Sequence, residues 1–383
     1  MSKYKIIIPL LIFMSILFSY FNVKERTFED DVLKLGLSLP KSGIMRNWGE
    51  AVYAGADSYF KYANEHHLLP QHIELLTLDD KYEPELTLEN VKILQKKDIF
   101  AFFAFVGTPT TKKILTIINT SDIPFVAPFT GASFLRHNAS KNIINFRSSY
   151  QNEINALVRY LDEKKGIKKF AVFYQNDDYG EEGYISLLHT LKERGLSLQG
   201  EGTYKRNTLS IQHAFREIKE SKPEAVLMIG ANKANALFIQ TARKDKVFKD
   251  TLFCNISFGN ADAMVKELNK HTDNLLFSQI VPSYKGSRIP VVEEYVKLMH
   301  HHGYAKELGF ISLESFLAAK SVVNALKSIK GTTTRKKFIQ ALSSLPENSL
   351  DGLKLQFINN QLLNSVYLYT YEDDHFKEVY HEN

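Results

Sequence analysis

From Leu33 onward the chain alternates short apolar runs with longer amphipathic ones, and the alternation comes in two comparable cycles. Leu33 to Leu39 reads as a strand. Trp48 to Glu65 reads as a helix, with apolar or small residues at 48, 52, 56, 59, 60 and 63. Ile73 to Leu78 is a second strand, and Pro84 to Lys96 a second helix with proline in its first turn. Phe100 to Val106, Pro109 to Ile118 and Phe125 to Ala127 continue the pattern. The second cycle begins after Asn142 to Arg147. It predicts helix Glu153 to Glu163, strand Phe170 to Tyr174, helix Gly183 to Arg194, strand Leu196 to Tyr204 and helix Ser210 to Glu220. Strand Ala225 to Ile229, helix Ala234 to Lys244, and strands Thr251 to Ile256 and Leu275 to Val281 follow. Pro290 to Leu345 is helical, and Ser365 to Tyr371 with His375 to Val379 forms a terminal hairpin. Repeated βαβ units of this kind build parallel sheets covered by helices on both faces, so the chain is α/β with two doubly wound units. No proline- or glycine-rich tether separates them, which predicts tight hinge strands and two units facing each other across a cleft.

The length, 383 residues, also fits two cores rather than one. The net charge of +5 would suit a polyanion partner, but residues 1 to 26 hold Lys3, Lys5, Lys24 and Arg26 against Glu25, three of the five surplus positives. Between those charges runs an apolar stretch from Ile6 to Phe21. Residues 1–31 therefore read as a secretory signal, or an uncleaved N-terminal anchor, followed by a linker. No cysteine follows the apolar run, so lipidation there is excluded. The lone cysteine, Cys254, rules out an internal disulfide and a cysteine-based zinc site, and its place in a strand makes it a buried apolar residue.

Enzyme signatures are absent: no G-x-G-x-x-G after the first strand, no phosphate loop, no G-x-S-x-G elbow and no H-E-x-x-H. His300-His301-His302 and His66-His67 read as solvated faces rather than metal ligands, because consecutive helical residues point in different directions. Asp79-Asp80 and Asp177-Asp178 end strands, where carboxylates can meet a ligand or cap the next helix. An enzyme using Asp177 or Asp178 as acid or base is the least favoured reading. The lysines are scattered among acidic residues, without the aromatic interleaving of a nucleic-acid platform, so no nucleic-acid partner is expected.

In open α/β sheets, ligands bind beyond the carboxyl ends of the strands. The exits here are Leu39 to Gly43 with Trp48, the only tryptophan; Gly107-Thr108-Pro109-Thr110; Pro128 to Ala132; Tyr174 to Gly180; Gly230 to Lys233; and Ser257-Phe258-Gly259. They are aromatic, hydroxylated and glycine-rich, a composition that stacks a planar or apolar solute and fixes its polar end.

In these exits the chain resembles the type I periplasmic solute-binding proteins, in particular the leucine/isoleucine/valine-binding branch of ABC-transporter receptors. The resemblance covers Leu33 to Val379. It rests on Gly36 to Gly43 with Trp48-Gly49-Glu50, on Gly107 to Thr110, on Ile123 to Ala132 with Leu135-Arg136, and on Phe146 to Tyr150. Tyr174 to Gly180, Ala242-Arg243-Lys244 and Tyr367-Leu368-Tyr369 complete it.

The resemblance implies a non-enzymatic receptor of two lobes, residues 32–147 plus 283–355 and 148–282 plus 356–383, joined by a three-strand hinge. The hinge is expected near Arg147 to Tyr150, Ile280 to Tyr284 and Leu353 to Ile358. Carried over by position, Trp48 is an aromatic wall, and Thr108, between Gly107 and Pro109, is the hydroxyl that binds the ligand's carboxylate along with backbone groups at Phe129, Thr130 and Gly131. Tyr179 and Phe258 supply the second lobe's rings, Ser42 a hydroxyl at the first exit, and Phe310 a late wall residue. Two positions depart from amino-acid binders. Ser257 stands where they hold an acidic residue for the ammonium, and Ala231 where they hold a tyrosine. These departures point away from a branched-chain amino acid and to a small neutral or weakly anionic, partly aromatic or carboxylate ligand. No cofactor or metal is implied. The partner is an ABC permease or, alternatively, a membrane histidine kinase or diguanylate cyclase, and a monomer in the periplasm is expected.

Overall fold

A computed structural model describes residues 26–28, 32–136, 141–269 and 271–382. The apolar leader predicted as signal or anchor lies outside the described residues. Among those described, no helix is long and apolar enough to cross a membrane.

Five parallel strands form the first sheet: β1 (Val32–Leu39), β2 (His72–Asp79), β3 (Ala101–Phe103), β4 (Phe125–Val126) and β5 (Ile143–Ile144), in the order β2-β1-β3-β4-β5. They are joined by α1 (Arg46–Glu65), α2 (Pro84–Gln95) and α3 (Thr108–Thr120). Strand β3 is shorter than its apolar run predicts. At Ala104 the backbone turns to φ 56°, its amide still bonding Val126 O at 2.9 Å, and the chain leaves the sheet toward the cleft.

The second sheet holds β6 (Phe170–Gln175), β7 (Leu198–Tyr204), β8 (Ala225–Ile229), β9 (Leu252–Asn255) and β10 (Leu275–Gln279), parallel in the order β7-β6-β8-β9-β10. Its helices are α4 (Tyr150–Lys165), α5 (Asp178–Glu193), α6 (Gln212–Glu220), α7 (Asn232–Ala242) and α8 (Ala261–Leu268). Every residue of β8, Ala-Val-Leu-Met-Ile, is buried, as a strand covered on both faces requires. Helix α8 has no counterpart among the sequence expectations. It is only eight residues long, and its signal is the Asn260 side chain, which accepts from Ala263 N at 3.1 Å.

After β10 the chain returns to the first unit. There α9 (Pro290–His301), α10 (Phe310–Ser328) and α11 (Arg335–Ser343) complete its helical cover. Ser315 Oγ donates to Val52 O of α1 at 2.6 Å, and Arg335 donates to the Ile99 and Phe100 carbonyls at 2.6 and 3.1 Å. The chain then enters the second sheet again through β11 (Val366–Glu372) and β12 (His375–Glu382), the predicted antiparallel hairpin. Three segments thus pass between the units. The third comes later than Leu353 to Ile358: residues 356–362 double back, with Gln356 N bonding Leu362 O at 2.9 Å. Leu362 and Leu363 then donate to Asn145 and Phe146 carbonyls at 3.0 and 2.8 Å, beside the first crossing.

His302 departs from the solvated face expected of the histidine run. Its side chain is only 5% exposed, with Nδ1 3.2 Å from Ser58 Oγ and Nε2 3.3 Å from Glu65. It turns inward because α9 ends against α1. Cys254 is buried in β9, as its apolar neighbours predict.

Candidate functional site

Strand order reverses between β1 and β3 in the first sheet and between β6 and β8 in the second, and at those reversals adjacent loops diverge and leave a crevice. The loops that leave β1, β2, β3 and β4 face those that leave β6, β8 and β9. Trp48, in the first turn of α1, is 1% exposed. Phe258, just past β9, stacks on it with ring centroids 4.4 Å apart, and Phe129 meets it edge-on at 6.0 Å. Tyr179, in the first turn of α5, lies 4.6 Å from Phe258 and 5.5 Å from Tyr150. Rings from both lobes therefore form one buried cluster.

Hydroxyls stand at its edge. Thr108 Oγ1 is 2.7 Å from Thr130 Oγ1 and 3.4 Å from the Tyr150 hydroxyl. Gly131 O accepts from Tyr150 N at 3.0 Å, so the β4 exit and the start of α4 are fixed to each other. Pro109 occupies the first turn of α3, where the missing N–H costs nothing. Gly107 has φ 105°, and a Cβ there would lie 2.3 Å from Tyr82 Cε2, so only glycine lets that tyrosine into the cleft.

Tyr82 is a cleft residue that the sequence did not disclose. It is fully buried, its ring is 6.2 Å from Phe258, and its hydroxyl accepts from Gln175 Nε2 at 3.3 Å. Asp80 holds its loop, accepting from Tyr82 N at 2.9 Å and Ser38 Oγ at 2.7 Å. Burial raises the Asp80 carboxyl to about 6 even though Ser38, Tyr82 and Thr87 stabilise its charge. Asp79 accepts from Ser42 Oγ at 2.6 Å and Lys41 N at 2.9 Å, and Asp177 caps α5 by accepting from Tyr179 N at 3.0 Å. These strand-end carboxylates shape loops.

At the back of the cleft sits a buried ionic group. Arg147, in the first crossing, faces Glu153 of α4 at 3.8 Å and Glu314 of α10 at 3.5 Å, and its Nη2 donates to Ser257 Oγ. Glu153 accepts from Ser257 N at 2.7 Å, Ser257 Oγ at 2.9 Å and Ser278 Oγ at 2.6 Å. Burial raises Glu314 to about 7; Arg147 opposes the rise and Glu153 adds to it. Trp48 Nε1, the Tyr179 hydroxyl, and Arg147 Nε and Nη1 are buried without a hydrogen-bond partner.

Of the residues expected to form the site, Trp48, Gly107, Thr108, Pro109, Phe129, Thr130, Gly131, Tyr179 and Phe258 come together around these rings and hydroxyls. Ser257 adjoins them, occupied by Arg147 and Glu153. Ser42 is turned to Asp79. Ala231 donates its amide to Tyr204 at 2.8 Å, and that hydroxyl donates to Gln175 at 3.1 Å, so Ala231 reaches Tyr82 only through two side chains. Phe310 groups with Tyr284, Tyr369 and Phe376 at 6.0, 5.5 and 5.0 Å instead of joining Trp48.

Residues 32–375 match the family described as "Periplasmic binding protein". A possible leucine/isoleucine/valine-binding protein from Rhodopirellula baltica shares 30% identity and superposes with a TM-score of 0.84, over 91% of this chain and 96% of its own. A leucine-binding protein from Thermotoga maritima shares the fold at 17% identity, with a TM-score of 0.80 over 92% and 99% of the two chains. An uncharacterized protein of Methanocaldococcus jannaschii is 22% identical over 287 residues, 70% of this chain and 68% of its own. The two lobes, their crossings and the shared cleft are those of a solute-binding protein, and the chain belongs to the type I periplasmic binding protein family.

Proposed function

We propose that this protein is an exported receptor that closes on a small solute and delivers it to an ABC importer. Its working parts are the lobes 32–147 with 283–355 and 148–282 with 365–383, and the segment 356–364, which runs along the first lobe into the third crossing. The observation that carries the reading is the buried stack of Trp48 on Phe258, contributed by opposite lobes. A solute held among these rings touches both lobes, and only such differential contact shifts an open–closed equilibrium. Trp48, Phe129, Tyr179 and Phe258 are its walls, and Thr108, Thr130 and Gly131 hold its polar end.

Relatives of the same fold carry different names. One is called a possible leucine/isoleucine/valine-binding protein and another, from Thermomonospora curvata at 17% identity, a fatty acid ABC transporter substrate-binding protein. A branched-chain amino acid does not suit this site, because Ser257 stands where an acidic group would meet the ammonium and is engaged by Glu153. An unpaired charge in a dry site is strongly unfavourable.

The test is a thermal-shift screen of amino acids, carboxylates, amides, purines and aromatic acids, followed by small-angle scattering with each hit. A solute at 100 times its Kd adds about 2.7 kcal/mol to stability. A smaller radius of gyration with the bound solute supports the receptor. Tight binding with no compaction overturns it. Signalling through a membrane kinase or cyclase is the second reading, favoured by a leader with no cysteine for lipid attachment. Cross-linking of the liganded protein in membranes to a permease or to a kinase separates the two.

A further inference from the structure

We infer that Arg147 joins Thr108, Thr130 and Gly131 at the ligand's polar end as its acid anchor, so that the cleft takes a small organic acid lacking an ammonium group and holds its carboxylate beside the hinge. The inference rests on the receptor reading above and names the solute class for that same site.

The unpartnered buried atoms of the site have a common chemistry. Trp48 Nε1 and Arg147 Nη1 can only donate, and the Tyr179 hydroxyl can donate. A buried donor without an acceptor costs about 1 to 3 kcal/mol, so the group that completes this site brings acceptors. The residues that carry them are linked through Ser257 and Phe258. Arg147 Nη2 holds Ser257, the residue before Phe258; Phe258 lies against Trp48 and Tyr179; and Tyr179 lies against Tyr150.

The neighbouring carboxylates are already engaged by groups of the protein. Both oxygens of Glu153 are taken by Ser257 and Ser278. Asp262 accepts from Phe310 N at 2.9 Å and Tyr284 at 3.0 Å, and Asp177 caps its helix. Glu314 faces the Arg147 guanidinium. The planar guanidinium suits a carboxylate better than a neutral carbonyl, because two parallel charge-assisted bonds form. Its position adds a consequence: Arg147 lies between Glu314 of the first lobe and Glu153 of the second, so an acid held there is gripped from the hinge while the rings close over its body.

The experiment uses the full chain and probes that share a body but differ at the head: 4-methylpentanoate, 4-methylpentanamide and leucine, and phenylacetate, phenylacetamide and phenylalanine. Calorimetric titration is expected to show one acid of each kind binding about 10- to 100-fold tighter than its amide and its amino acid. Arg147→Lys, which keeps the charge but loses the fork, is expected to remove most of that acid-over-amide preference, whereas Trp48→Ala weakens acid and amide alike. Arg147→Gln paired with Glu314→Gln guards against misfolding from an unpaired buried charge, with circular dichroism confirming the fold. An amide that binds as tightly as its acid, an amino acid that binds tighter, or six silent probes overturns the acid anchor. The receptor reading stands or falls separately, on compaction with any solute of the broader screen.

Discussion

Phe258 lies flat on Trp48, ring centroids 4.4 Å apart and planes 26° from parallel, although the two side chains hang from different lobes. Both rings are buried, and their apolar contact, spanning the cleft, favours its closure.

Truncating either ring tests that contact. Trp48→Ala and Phe258→Ala are each expected to weaken solute binding by about 1 to 3 kcal/mol, the scale of a lost aromatic contact with its burial. Both variants stay folded, because the lobe cores around β1 and β8 are untouched. Titration calorimetry with the best solute from the screen reads the loss, and scattering of the solute-free variants reads a larger radius of gyration. Unchanged affinity in both variants removes these rings from the site.

Thr108 tests the polar edge. Its hydroxyl lies between those of Thr130 and Tyr150. Thr108→Val keeps the shape and removes the hydroxyl, and is expected to cost about 1 to 2 kcal/mol of binding with a small change in melting temperature. Equal affinity for the two proteins removes the Thr108 hydroxyl from the site.

A polar latch crosses the cleft rim, where Glu83 accepts from Arg206 Nη2 at 2.9 Å and Asn207 Nδ2 at 2.6 Å. Lys112 pairs with Asp178 nearby. These groups are partly exposed, so each is worth little, about 0 to 1 kcal/mol, and salt screens them. Glu83→Gln is expected to speed solute release by a few-fold at low salt and to match the wild type in 1 M salt. Stopped-flow dissociation at the two salt concentrations measures both.

The strands and the two-unit plan were legible because buried parallel strands are continuous apolar runs, and Trp48, Thr108 and Phe258 because they sit at strand exits. Tyr82 was not, since its direction depends on positive φ at Lys81 and Tyr82 and on the missing Cβ of Gly107, a neighbour in space and not in sequence. Arg147 and Tyr150 lie in the Phe146 to Tyr150 run that carries the family resemblance. Their pairing with Glu314, Glu153 and Thr108 is set by three helices converging, which no local pattern encodes. Phe310 shows the converse: an aromatic residue at a helix start read as a wall, while the returning β11–β12 hairpin draws it into another ring cluster.

No local pattern marks Gly55, yet α1 and α10 touch through it. A Cβ there would lie 2.0 Å from Ser312 O, a backbone atom that cannot swing aside. Gly55→Ala gains helix propensity of about 1 kcal/mol and loses more by pushing the helices apart, for a net destabilisation of about 1 to 3 kcal/mol. Denaturant unfolding measures it, and a variant as stable as the wild type means that α10 shifts without cost.

Glu314 makes stability depend on pH. Burial raises its folded pKa to about 7 against 4.5 for a free glutamate, with Arg147 opposing and Glu153 reinforcing the shift. The folded protein then holds a proton that the unfolded chain has released, so stability falls as pH rises from about 4.5 to about 7 and is level beyond. The loss is on the order of 1 to 3 kcal/mol. Asp80, raised to about 6 from 3.8, acts in the same direction over a lower window. Melting curves between pH 4 and 8 are therefore expected to show a decline that Glu314→Gln reduces above pH 6 while leaving the Asp80 portion in place. An acid bound on Arg147 adds a second negative charge beside Glu314, so affinity for the best carboxylate probe is expected to drop as pH rises through about 7 in the wild type and to stay flat in Glu314→Gln. A wild-type affinity that is flat across that range means that the bound solute's charge is remote from Glu314.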